Sequence, residues 1–125
     1  MGQTTFMRVR TSIVDASKII GCKVENAKGE SLGKIEDLML DIVDGRIAYA
    51  VLSFGGFLGL GDKLFPVPFE ALQYRAGDGK CVLNVDKDVL KNAPGYSRDE
   101  LPDVNDRAWR TQIFSHYGYQ PYWED

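Results

Sequence analysis

The sequence predicts a mainly β fold, a six-stranded barrel or roll with short helical turns and a C-terminal α-helical extension rich in aromatics. Three observations predict it. Short runs of β-branched and aromatic residues recur between turns marked by Gly, Asn and Asp. A chain of 125 residues, 44% hydrophobic and 26% charged, has the size and balance of one domain and can bury roughly two-thirds of its extended surface. Beyond Pro94 the texture changes, because Trp109, Phe114, Tyr117, Tyr119, Tyr122 and Trp123 crowd a segment with three Arg and six acidic residues. That is too aromatic for a disordered acidic tail.

Taken in order, Asp15 to Gly21 reads as one helical turn, with Asp15 placed to accept from the first N–H groups and Gly21 free to take positive φ. Cys22 to Glu25 makes a first strand, Asn26 to Gly29 a turn, and Leu32 to Ile42 a longer return strand. Within this strand the apolar residues change parity, from Ile35 to Leu38, Leu40 and Ile42. A two-residue period cannot absorb that change, so a bulge or kink is expected near Glu36-Asp37. Asp44-Gly45 signals a tight hairpin. Ile47 to Phe54 is apolar at both parities, as in a central strand covered on both faces.

A glycine-rich loop from Gly55 to Asp62 leads to Lys63–Pro68, where Pro66 predicts an edge or broken strand. Gln73–Arg75 and Lys80–Val85 flank a turn at Gly77-Asp78-Gly79. Asp86 is placed to cap a helix over Lys87–Ala93 that Pro94-Gly95 ends, and Asp106 to cap another that runs to about Tyr117 and stops at Gly118. On this last helix Trp109, Ile113 and Tyr117 share a face, with Phe114 beside them.

In their order and spacing, Lys18-Ile19-Ile20-Gly21, Gly29 to Leu38, Asp44 to Val51 and Gly61 to Pro68 resemble the PRC-barrel domain. The resemblance covers about residues 15–93. It leaves 1–14 as an N-terminal extension and 94–125 as a C-terminal helical and aromatic extension like that of small free-standing bacterial and archaeal members. It implies a six-stranded PRC-type barrel used for docking, related to the cytoplasmic domain of the photosynthetic reaction-centre H subunit and the C-terminal domain of the ribosome-maturation factor RimM. It supplies no catalytic residue, and neither relative's specific role transfers, because the membrane helix of the one and the partner domain of the other have no counterpart in this sequence.

The chemical vocabulary is thin. Cys22 and Cys81 belong to no CxxC or Cys/His cluster and read as two buried thiols in a reducing cytosol, with a disulfide or one reactive thiol as the alternative. The glycines of 55–61 lack the Lys-Ser/Thr of a Walker loop and the G-x-G-x-x-G of a dinucleotide site, and Asp62 would repel a phosphate. Glu36, Asp37, Asp41 and Asp44 lack the alternation of a calcium loop and read as solvated strand and turn positions. His116, the sole histidine, forms no triad. No catalytic group, cofactor or metal site is therefore expected.

A net charge of −3 disfavours direct nucleic-acid binding, most strongly at the acidic extension, since the 15–93 segment carries ten basic against twelve acidic residues. The N-terminus has neither an apolar signal-peptide core nor a myristoylation pattern, and no transmembrane segment is evident, so a cytoplasmic protein is expected. The expected function is non-enzymatic protein docking or assembly, with a protein partner and a homodimer. The candidate contact surface comprises Phe57, Leu58 and Leu60 of the glycine-rich loop and Trp109, Ile113, Phe114, Tyr117, Tyr119, Tyr122 and Trp123 of the extension. The stripe of the last helix either covers an open barrel end or faces a partner. The alternatives are an accessory factor in ribosome or RNA metabolism and a small-ligand-binding barrel, the latter requiring an interior not filled by side chains.

Overall fold

Strand pairing along the chain builds one sheet, and a computed structural model describes it for residues 13–55 and 62–124. The elements are α1 (Ala16–Ile19), β1 (Lys23–Glu25), β2 (Ser31–Asp41), β3 (Arg46–Gly55), β4 (Asp62–Pro68), a 3-10 turn (Phe69–Ala71), β5 (Leu72–Arg75), β6 (Lys80–Leu83), α2 (Lys87–Lys91), β7 (Tyr96–Ser97), α3 (Arg107–His116) and a second 3-10 turn (Tyr122–Glu124). The order across the sheet is β5-β6-β1-β2-β3-β4-β7. All neighbours are antiparallel except β1 and β6, which run parallel through Val24↔Cys81 and Glu25↔Val82. The mainly β class is as expected, with seven strands among the described residues in place of six. The added β7 is too short to show alternation in the sequence, and it pairs Tyr96 with Leu64 and Ser97 with Lys63.

The return strand β2 buries every third residue, Leu32, Ile35 and Leu38. A strand alternates every second residue, so two residues must be absorbed as bulges. Glu36 is one, skipped by the register between Ile35↔Leu52 and Asp37↔Val51, where the parity change predicted it. Leu32 is the other, between Val24↔Gly33 and Glu25↔Ser31. Beside it Gly33 has φ +111° and lies so close to β3 that an added Cβ would overlap the Ser53 carbonyl, so only glycine fits. A third bulge, at Ala48 of β3, separates Met39↔Tyr49 from Leu40↔Ile47. Leu40 keeps the inward phase opposite Ile47, which packs against the inner core, yet Leu40 near the end of β2 and Ile42 just past it are exposed.

Pro66 does not break its strand. β4 is continuous, and Pro66 pairs with Val51 while β7 covers only Lys63 and Leu64 on the other side, so the missing N–H falls along an uncovered stretch. The two short helices depart from expectation at their caps. Neither Asp15 nor Asp86 bonds its helix through its side chain, and Asp86 instead meets Lys28 Nζ at 3.2 Å. Asp106 caps α3 as expected, accepting from the N–H groups of Ala108 and Trp109, and Gly118 follows with φ +79°.

The sheet carries a core on each face of β3. On the inner face, Leu32, Ile35, Leu52, Phe65, Val67, Leu83 and Leu90 pack with Ile19, Val24, Cys22 and Cys81. These side chains are buried against one another in the interior. On the outer face, Tyr49 and Val51, which alternate with the inward Ala50 and Leu52, pack with Ala48, Leu64, Tyr96, Trp109 and Tyr122. The expected double coverage of β3 is present, and the C-terminal extension supplies the second cover. Its stripe therefore crosses an outer sheet face, with Trp109 over Tyr49 and Tyr96, and reaches the main core only at Tyr117; it does not simply plug a barrel end.

Candidate functional site

The β2–β3 turn and the C-terminal extension meet on the outer side of the sheet, and one carboxylate organises both. Asp41 closes β2. Its Oδ1 accepts from the N–H groups of Val43 (3.1 Å) and Asp44 (3.0 Å), and its backbone carbonyl accepts from Gly45, which takes φ +70°. The Asp41 Oδ2 accepts the Tyr122 hydroxyl at 2.5 Å. Hydrogen bonding from Tyr122, then from Asp44 N–H, holds the Asp41 carboxyl below the usual carboxylate range. Tyr122 is pushed up to about 12, first by burial and then by its bond to the carboxylate.

Around this bond the extension forms an aromatic clamp. Phe114 meets Trp123 edge-on at 5.1 Å and Tyr122 at 6.3 Å, and Tyr122 meets Trp123 at 5.0 Å. Two guanidiniums lie over it, Arg46 at 3.8 Å from the Tyr122 ring centre and Arg110 at 4.6 Å from that of Trp123. Trp109 meets Tyr49 at 6.0 Å and Tyr96 at 6.5 Å. Burial pushes the Tyr49 hydroxyl up to about 12 and the Tyr117 hydroxyl upward as well. His116 Nε2 lies 2.8 Å from the Val89 carbonyl; a carbonyl only accepts, so the ring nitrogen donates and joins α3 to α2.

Beside the clamp opens a surface groove of about 400 Å³, bordered by Met39, Asp41, Asp44, Asn105, Arg107 and Arg110 among others. At its lip stands an apolar tip: Leu40, Ile42 and Val43 are 66%, 87% and 92% exposed. Three neighbouring large apolar side chains held in water at the end of a hairpin are not needed by the fold and offer apolar area to another surface. A bidentate ion pair, Arg98 to Glu36 at 2.7 and 3.0 Å, lies further along the same side of β2.

The residues expected to make contacts are distributed unevenly. Ile113 and Phe114 are fully buried within the chain; Trp109, Tyr117, Tyr122 and Trp123 are half-buried; Tyr119 is exposed. Phe57, Leu58 and Leu60 lie outside the described residues. Leu40, Ile42 and Val43 were not singled out by sequence reasoning. Their signal was present, two apolar residues directly before Asp44-Gly45, but it merged with the inward phase of β2. Asp41 was read only as a solvated carboxylate, since its bond to Tyr122 spans most of the chain. Among the described residues, no group of three or more His, Cys, Asp and Glu is placed to hold a metal ion, and no helix is long and apolar enough to cross a membrane.

By fold the molecule is a small single-sheet β-barrel module with an aromatic cover over its outer face. The chain belongs to the PRC-barrel domain family, whose family model matches residues 12–90. Comparison with curated proteins gives no match. The matched stretch ends within α2, so β7, α3 and the aromatic clamp lie beyond it.

Proposed function

We propose that this PRC-barrel protein is a non-enzymatic docking and assembly module, that its contact surface is the β2–β3 tip with the adjoining face of the extension, and that it binds a second copy of itself. The exposed trio Leu40, Ile42 and Val43 carries this reading. A two-fold contact brings a patch against itself, so the patch must be self-complementary. This one brings the apolar tip, acidic Asp44 and basic Arg107 onto the same groove, which lets each charge face its opposite across a two-fold axis. We place this work in the cytoplasm, a setting that suits two cysteines present as free thiols.

Light scattering on the full chain at micromolar concentration tests the reading. The wild type is expected at about twice its 14.0 kDa chain mass. The double variant Ile42→Asp, Val43→Asp is expected at one chain mass with an unchanged melting temperature, because neither side chain contributes to the folded core. A wild type that runs as a monomer defeats the self-assembly reading.

A further inference from the structure

Cys22 and Cys81 are far apart in sequence, yet their Sγ atoms lie 3.0 Å apart. Both side chains point into the inner core, at 6% and 1% exposure. The register explains the meeting: Cys81 is paired with Val24, and Cys22 stands two residues earlier on the same inward face. A disulfide has an S–S length of about 2.05 Å, so closing the gap takes a movement of about 1 Å, within reach of small χ rotations. The surroundings distinguish the two sulfurs. Cys22 borders an open surface hollow formed with Lys18, Ile20, Gly21, Lys23 and Gly79, whereas Cys81 lies behind it. The seam that the pair spans is short, because β1 and β6 share only two paired positions.

We propose that Cys22 and Cys81 are a reversible dithiol–disulfide pair that, when oxidised, covalently fastens β1 to the β5–β6 hairpin. The oxidant is a low-molecular-weight disulfide. Cys22 attacks one of its sulfurs, forming a mixed disulfide and releasing one small thiol; Cys81 then attacks the Cys22 Sγ, forming the internal bond and releasing the second. The protein dithiol loses two electrons, the small disulfide gains them, and the two thiol protons pass to the two released thiols. Cys22 borders the surface hollow and Cys81 does not, which assigns the first attack to Cys22 and the resolving step to Cys81; burial raises the Cys81 thiol in the same sense.

The test is equilibration of the purified full chain in glutathione buffers of graded composition, with acid quench and intact mass. Native wild type should lose two hydrogens and regain them with dithiothreitol. Its equilibrium should lie at least about 10-fold further toward the disulfide than that of the same chain in urea, where the sulfurs are no longer held together. By linkage the oxidised chain should also melt several degrees higher. Cys22→Ser and Cys81→Ser should stop at a single glutathione adduct or remain reduced, never losing two hydrogens. A wild type that stops at the mixed disulfide, or whose native equilibrium is no further toward the disulfide than in urea, overturns the proposal; this comparison needs no variant to fold.

Discussion

The two faces of β3 are closed by different chemistry. The inner face is packed by aliphatic residues, Phe65 and two thiols from strands and helices that follow one another along residues 19–93. The outer face is closed by aromatics that keep polar tips: Tyr49, Tyr96, Trp109 and Tyr122, steered by Asp41, Arg46 and Arg110. Apolar burial is non-directional, so the inner face is held by shape and area alone. The outer cover is held by oriented bonds as well, so its stability is expected to vary with pH. The family match covers the inner core as far as Leu90 and stops before α3 and the aromatic clamp.

Removing the outer cover is the largest break in that comparison. Truncation before Asp103 uncovers Tyr49, Val51 and Leu64, and is expected to lower the melting temperature by more than about 10 °C and to expose apolar surface that binds a hydrophobic dye. An unchanged melting temperature would show that the extension adds nothing to the fold. Single truncations then compare the faces directly. Phe114→Ala and Leu52→Ala each empty a fully buried site and are expected to cost about 3 to 5 and about 2 to 5 kcal/mol respectively, measured by urea unfolding. If the outer face were only loosely docked, Phe114→Ala would cost less than about 1 kcal/mol.

Tyr122→Phe makes the smallest change and tests the polar part of the cover. It is expected to lower the melting temperature by about 3 °C at neutral pH. Asp41 is held low in the folded state, so its contribution is present above the unfolded value of about 3.9 and is lost as pH falls through the lower folded value. The gap between wild type and variant should therefore close in acid. Tyr49 and Tyr122 are both raised to about 12, so stability from their protonated form is present below pH 10 and is lost as pH rises through 12. Melting followed alongside phenolate absorbance should show a late-ionising group missing in Tyr122→Phe. A variant with the wild-type pH profile would remove Asp41 and Tyr122 from the account.

Much of the fold was legible because it is written in neighbouring residues. The parity change between Ile35 and Leu38 locates the Glu36 bulge, Asp106 and Gly118 bound α3, and the mixed apolar run of β3 foretells two covers. The candidate site was less legible. The aromatic extension stood out by composition, but Leu40 and Ile42 continue the apolar alternation of β2 past Leu38, its last buried residue, and where the core ends is set by the packing of distant elements.

By itself the sequence determined the β class, the turns, the α3 cap and the family, because each rests on local conformational preference or on short spacings. Only the tertiary structure decided which face the extension covers, that Asp41 bonds Tyr122, that β1 and β6 run parallel, and that two distant thiols lie in contact. Those features depend on register between segments far apart in the chain. A one-residue slip reverses every side chain on a strand, and nothing local specifies it.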